Sequence, residues 1–590
     1  MTTLSCLLFV LATSPATIPS APAPTIYDPR NIRSGLVIPD EGYCDQPYVV
    51  ITKDGHWLCT LTTGKGVEGE PGQHVVATIS SDKGKTWSKL IDIEPADGPQ
   101  ASWVMPLITP TGRVYVFYDY NGDRVSSLGD KKNIRADMLG WFVYKYSDDN
   151  GRSWSSERYR LPIRETEFDR QNDWQGKVQI LWGIGKPIVD GRSVYLGFSK
   201  IGKYLIEKSE GWFLRSDNIL TEPDPNKHIW QMLPEGDVGL RSPSGPIAEE
   251  QNLVALSTGA LYTMYRTVAG YPCQAYSRDG GRSWTAPAFA TYTPGGRQIK
   301  TPRACPRLWK AKNGKYLLWY HNNSGLNFDG RNPAWLTGGV EKDGFIHWSQ
   351  PEIVLYDPNP PTRISYPDLI EQDGRYWITA TQKSVARVHE IDPALLEGLW
   401  NQGADKSIAR KGLVLTSDGC EGKPATAPMP SLPKLGEGGS FTLDLWIRAT
   451  ATTPGQVILD NRDQTNKGFV LGTGKDECLR FGMYDGNLNA YWDSDPHTLR
   501  PGRLQHVAVI VDGGSKILIF VIDGVLCDGG PDRQYGWIRF DPQMADLNGR
   551  KDLLIAPDFS GQVKAVRIYD RYLRTSEAVA HCLAGPQAKE

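Results

Sequence analysis

The sequence predicts an all-β chain: a six-bladed β-propeller followed by a β-sandwich. Six segments share one pattern, an apolar strand, a Gly-containing turn and a second strand that ends in a polar or aromatic loop. An octet of the form Ser-x-Asp-x-Gly-x-Ser/Thr-Trp occurs three times, at Ser80–Trp87, Ser147–Trp154 and Ser277–Trp284. Past residue 420 the texture changes to longer alternating strands. With 590 residues the chain is too long for one core, and 61 Gly with 42 Pro fit a turn-rich β protein.

In chain order, residues 1–24 read as a secretory signal, with a short apolar run at Leu7–Ala12 followed by small residues and prolines. The expected location is therefore secreted, periplasmic or extracellular. The propeller is placed over 25–403. Its hairpins open at Cys44, Trp103, Ile184, Glu249, Ala304 and Ser365. Each hairpin plus an outer strand pair makes a four-stranded blade, and six blades close a ring. Where the octet occurs it follows its hairpin, between the outer strands. Its Ser and Asp can hydrogen-bond the turn's own backbone, and its Gly allows a conformation other residues avoid. The octet is thus a folding staple rather than a site. Blades 3 and 5 carry only traces, at Arg215 and Glu341. Residues 404–420 read as a linker and 421–590 as the sandwich.

Composition narrows the function classes. A formal charge of −2 and no long basic run argue against nucleic acid. No segment approaches the ~18 apolar residues of a membrane span. Nineteen Trp and 26 Tyr serve blade packing and offer faces on which sugar rings stack. Eight cysteines beyond Cys6 are compatible with disulfides, and without a CxxC pair they have no zinc-like spacing. The sequence does not fix the oligomeric state.

In a propeller the loops at one end of the inner strands converge on the axis. The hairpins deliver Asp45, Gln46, Glu68 and Glu70 there from blade 1, and Trp103, Tyr118, Asp119 and Tyr120 from blade 2. Trp182 and Lys186 come from blade 3, and Glu249, Glu250 and Arg266 from blade 4. Blade 5 adds Arg303, Arg307, His321, Asn322 and Arg331, and blade 6 adds Tyr366 and Asp368.

The octet resembles the Asp-box of sialidase-type propellers, and the propeller as a whole resembles the exo-sialidases, glycosidases that release terminal sialic acid. In that family a Glu opens the blade-4 inner strand and an Arg closes its hairpin; Glu250 and Arg266 stand there, sixteen positions apart. Tyr366 in "YPDL" matches the family's "Tyr-Ser-Asp-Leu" motif, with Pro367 in place of Ser. Arg331 sits where a further family Arg follows the blade-5 hairpin. Glu70 matches the acid/base Asp by position. The strings at Ser440, Leu504 and Gly561 resemble laminin-G-like, concanavalin A-type jelly rolls. That class allows a calcium ion, although no ligand set here demands one, and no cofactor is required.

The resemblance implies a retaining hydrolase on a glycan substrate. A carboxylate nucleophile would be repelled by the acid group on the sugar's anomeric carbon, whereas a Tyr made nucleophilic by a Glu is not. Guanidiniums grip a carboxylate with two prongs. The expected catalytic set is Tyr366, Glu250, Glu70 and Asp45. The expected substrate-binding set is Arg266, Arg331, Arg303, Gln46, Trp103, Lys186 and His321. One departure stands out: the family's blade-1 Arg is absent, and Asp45-Gln46-Pro47 occupies its place. Arg33, Arg303 and Lys186 are the candidates to replace it. Two alternatives stay open, a polysaccharide lyase using Tyr366, His321 and Arg331 on a uronic-acid polymer, and a propeller that binds glycan without turnover.

Overall fold

The computed structural model describes residues 26–128, 131–132, 135–172, 174–203 and 207–587. The signal-peptide expectation for 1–24 lies outside them. Among the described residues, six antiparallel sheets of four or five strands follow one another along the chain, and two larger sheets follow these.

Blade 1 comprises Tyr43–Ile51, Trp57–Gly64, His74–Ser80 and Ile91–Asp92. The first two strands are buried along almost their whole length, as expected of a sheet covered on both faces by neighbouring blades. Blades 2 to 5 repeat the order, with innermost strands Ala101–Ile108, Leu181–Trp182 with Ile188–Asp190, Glu249–Ala255 and Arg307–Lys310. Blade 6 contains Leu369–Gln372, Arg375–Thr381 and Ala386–Ile391. Its outer strand comes from the other end of the propeller: Leu36–Ile38 pairs antiparallel with Ala386–Val388. That pairing closes the ring with hydrogen bonds and removes an open edge.

The three octets are the staples the sequence implied. In the first, Gly84 N donates to Ser80 Oγ at 2.8 Å, and Thr86 N and Oγ1 donate to the two oxygens of Asp82 at 2.8 and 2.6 Å. The same pattern recurs at Ser147, Asp149 and Ser153, and at Ser277, Asp279 and Ser283. These bonds favour the ionised carboxylates and hold Asp82 and Asp279 down to about 2. The trace in blade 5 is a different object, a two-residue hairpin with Asp343 and Gly344 at φ 53° and 75°.

The segment read as a linker is partly sheet. Leu413–Glu421 forms an edge strand that pairs with Gly561–Tyr569 in a seven-stranded sheet. That sheet faces a six-stranded one across an apolar core that includes Phe441, Phe469, Phe481 and Phe520. The eight cysteines are all free thiols, six of them buried, so the disulfides the sequence allowed do not form here. Among the described residues, no helix is long and apolar enough to cross a membrane.

Candidate active site

Backbone irregularities build the site. The innermost strands of blades 1, 2 and 4 each slip register at their first residues, between Asp45 and Tyr48, Ser102 and Met105, and Glu249 and Asn252. At each slip a non-glycine residue takes a left-handed conformation: Gln46 at φ 47°, Trp103 at 60° and Glu250 at 61°. Tyr366, ahead of the blade-6 inner strand, does the same at 46°. Such bulges re-aim side chains, and each strained residue costs about 1–3 kcal/mol that the surroundings must offset.

The re-aimed side chains meet. Tyr366 Oη donates to Glu250 Oε1 at 3.0 Å, joining blade 6 to blade 4. Arg266 Nη1 pairs with the same oxygen at 2.7 Å, while its Nη2 pairs with Glu249 Oε2 at 2.6 Å. Arg303 Nη2 lies 3.5 Å from Glu249 Oε1. Arg331 donates to Ser365 Oγ at 3.0 Å and to the Arg303 carbonyl at 2.7 Å. No carboxylate among the described residues pairs with Arg331, and its Nε has no partner. Tyr366, Glu250, Arg266 and Arg331 are each at most 3% exposed.

Burial, followed by the Glu250 charge, pushes the Tyr366 phenol well above its ordinary range, against the pull of Arg266 and Arg331. Tyr366 is therefore a phenol that needs a base, and Glu250 is in contact with it. Its ring packs in an apolar cluster with Trp103, Trp182 and Cys305. Trp103 and Trp182 lie 4.5 Å apart.

Lys383, from the turn that ends the blade-6 hairpin, was not among the sequence candidates. Its ammonium lies 4.6 Å from the Tyr366 ring centroid, 2.6 Å from Asp45 Oδ2 and 3.1 Å from Glu68 Oε2. Arg135 continues the chain of charges from Glu68 to Asp137. Burial pushes Asp45 up to about 6 against the opposing pull of Lys383. Lys383 and Arg135 hold Glu68 down at about 2, although burial opposes them.

The remaining candidates divide. Gln46 is buried with Oε1 unpartnered. Glu70 lies on the exposed side of its loop, and it is Glu68, two residues earlier, that turns toward Lys383. Lys186 commits its charge to Asp368 at 2.7 Å and so ties blade 3 to blade 6. Arg33 is 65% exposed and lies beside Asp357, so of the three candidates to replace the blade-1 Arg only Arg303 reaches the cluster. His321 Nδ1 donates to the Pro333 carbonyl at 3.3 Å, and burial drives its pKa down to about 3. Asp119 is buried with neither oxygen paired; burial and the nearby Asp137 push it well up, toward the neutral acid. Arg307 closes the floor, donating to Asn252 Oδ1 and to the carbonyls of Ile184 and Pro367 beneath the Tyr48 ring.

In the second domain Asp444, His506 and His581 converge, all fully buried. Ala409 N donates to His581 Nε2, which leaves the proton on Nδ1 directed at Asp444 3.0 Å away. His506 Nε2 and Arg567 Nη1 also reach Asp444, at 2.8 and 3.3 Å. Together these donors make a buried hydrogen-bonded hub around the Asp444 carboxylate.

Residues 422–579 match the family model of the concanavalin A-like lectin/glucanases superfamily. The architecture is an Asp-box propeller joined to a concanavalin A-like domain. No curated protein matches the chain. Among solved structures it is similar to a Trypanosoma rangeli sialidase in complex with 2,3-difluorosialic acid, at 14% identity over 94% of this chain and 96% of that one, with a TM-score of 0.45. It is also similar to a protein of unknown function from Dyadobacter fermentans, at 17% identity over 60% of this chain and 98% of that one, with a TM-score of 0.43. The Hadza microbial sialidase Hz136 is 17% identical over 59% of this chain and 66% of that one, again with a TM-score of 0.43.

Proposed function

We propose that this protein is a retaining exo-glycosidase that removes terminal acidic sugars from glycans outside the cytoplasm. The observation that carries the reading is the buried Tyr366–Glu250 hydrogen bond, set beside Arg331, a guanidinium with no carboxylate partner among the described residues. A buried unpaired cation is costly and is best offset by an anionic ligand. A sugar carboxylate on Arg331 and Arg266 would place its anomeric carbon near the phenol. Tyr366 Oη then attacks that carbon as its proton passes to Glu250, and the glycosidic oxygen leaves with a proton from an acid. Asp45 supplies that acid better than the exposed Glu70, because at about 6 it keeps its proton under mildly acidic conditions. Water then attacks the same carbon and gives its proton to the Asp45 carboxylate, while Glu250 returns the other proton to the departing phenolate.

Turnover of a fluorogenic sialoside by wild type and Tyr366→Phe tests the reading. Release of sialic acid that falls at least a thousandfold in the variant is the expected result. No release from folded wild-type protein would reject sialic acid as the substrate. Uronic-acid and sulfated polysaccharides would then be assayed for new reducing ends and unsaturated products.

A further inference from the structure

The Phe328 ring lies beside all three site arginines. Its ring centroid lies 4.6 Å from the Arg303 guanidinium carbon, 5.7 Å from that of Arg331 and 5.8 Å from that of Arg266. An aromatic face attracts a cation, so the ring adds to the carboxylate pairing of Arg266 and Arg303 and lies beside Arg331, which has no carboxylate partner among the described residues. The ring thus stands where a small anion would touch all three.

The loop that carries it is anchored at both ends of its tip. Asn323 gathers the two ends of the tip, accepting from Gly325 N at 3.1 Å and donating to the Gly330 carbonyl at 2.7 Å. Gly330 takes φ 72°, a conformation other residues resist. Between those ends Arg303 N donates to the Asn327 carbonyl at 3.0 Å. Leu326 is 65% exposed and Phe328 is half-buried. Within the tip Asp329 N donates to Asn327 Oδ1 at 3.0 Å and its exposed carboxylate lies 3.6 Å from Arg363, so the tip is held by surface contacts, whereas Arg266 and Arg331 are held by buried ones.

We propose that Phe328 is a specificity-determining residue of the arginine pocket, admitting a sugar acid and excluding small anions. This rests on the reading of the pocket as an acid-sugar site. A small anion that displaced the ring would gain ion pairs, but it would leave the ring and the pocket walls in water. A pyranose acid brings both groups at once: its carboxylate meets the guanidiniums and its C–H face covers the displaced ring.

Phenylglyoxal labelling of the full-length protein, read residue by residue by peptide mass mapping, tests this without any turnover. In wild type Arg303 and Arg331 should label slowly relative to Arg33, which is 65% exposed. In Phe328→Ala they should label at least tenfold faster, with Arg33 unchanged, and 10 mM acetate should slow them again. The same acetate should have no effect on wild type. Phe328→Leu, which keeps apolar bulk, should show at least a threefold rise and serves if the alanine variant unfolds, as a thermal melt would show. Unchanged labelling in a folded variant, or acetate protection equal in wild type, would overturn the proposal. Failure of sialoside hydrolysis strikes the proposed function instead and leaves these rates interpretable.

Discussion

Asp45 is buried to its last atom, and its carboxyl titrates near 6. The cause is burial first; Lys383 opposes it and Glu68 adds to it. A group whose folded pKa lies above its unfolded value stabilises the fold at low pH, and that contribution is lost as pH rises through about 6. The same proton is the one the proposed reaction donates. Turnover should therefore fall roughly tenfold per pH unit above about 6, and Asp45→Asn should lower kcat and remove that limb of the pH–rate profile. A profile unchanged in Asp45→Asn would assign the acid elsewhere, with Asp119 next in line. At this scale the sequence is only partly legible. Glu250, Arg266 and Tyr366 could be placed at strand ends from hairpin spacing alone. Lys383 could not, because a lysine in a polar turn carries no mark of the carboxylates that face it from another blade.

Blades and their staples were the most legible level, because strand alternation and the Asp-box octet are local signals. Gly151 shows what the octet demands. It sits at φ 86°, and a Cβ there would lie 2.5 Å from Leu58 Cδ1 of the neighbouring blade. Gly55, in the blade-1 turn, has nearly the same φ, 82°, with nothing within 4 Å. Gly55→Ala should thus cost only the left-handed strain, ~1 kcal/mol. Gly151→Ala should add ~1–3 kcal/mol of overpacking. Thermal melts of the two variants separate the terms, and equal losses would mean that Leu58 moves aside freely. The bulges at Gln46, Trp103 and Glu250 left no comparable mark in the sequence. These three strands are buried on both faces, so they carry no alternation whose phase a one-residue insertion would break.

At the scale of the molecule, the two domains share one apolar cluster. Tyr262, Tyr316 and Trp348 from blades 4 and 5 pack with Ile510, Ile517 and Ile519 of the second domain. Arg30 pairs with Asp512 across the junction, and Lys300 Nζ donates to the carbonyls of Asp528, Gly530 and Arg533. None of this was legible, since residues so far apart along the chain leave no periodicity to read. The junction reaches the site through one short stretch. Trp537 Nε1 donates to the Asn322 carbonyl at 3.1 Å, Ser324 N donates to the Gln534 carbonyl at 2.9 Å, and Arg539 Nη2 donates to Asn332 Oδ1 at 3.2 Å. Those bonds hold both stems of the loop that carries Phe328 and Arg331. Trp537→Phe keeps most of the ring packing and deletes the indole donor, which leaves a buried carbonyl unpaired at ~1–3 kcal/mol. If the second domain positions the loop, amide hydrogen exchange over 322–332 should accelerate about tenfold. The Asp-box amides of Gly84 and Gly151 report on blades 1 and 2, and their exchange should stay constant. Acceleration across every blade would mean a general loss of stability. Unchanged exchange over 322–332 would mean that the loop holds itself and the second domain merely packs beside it.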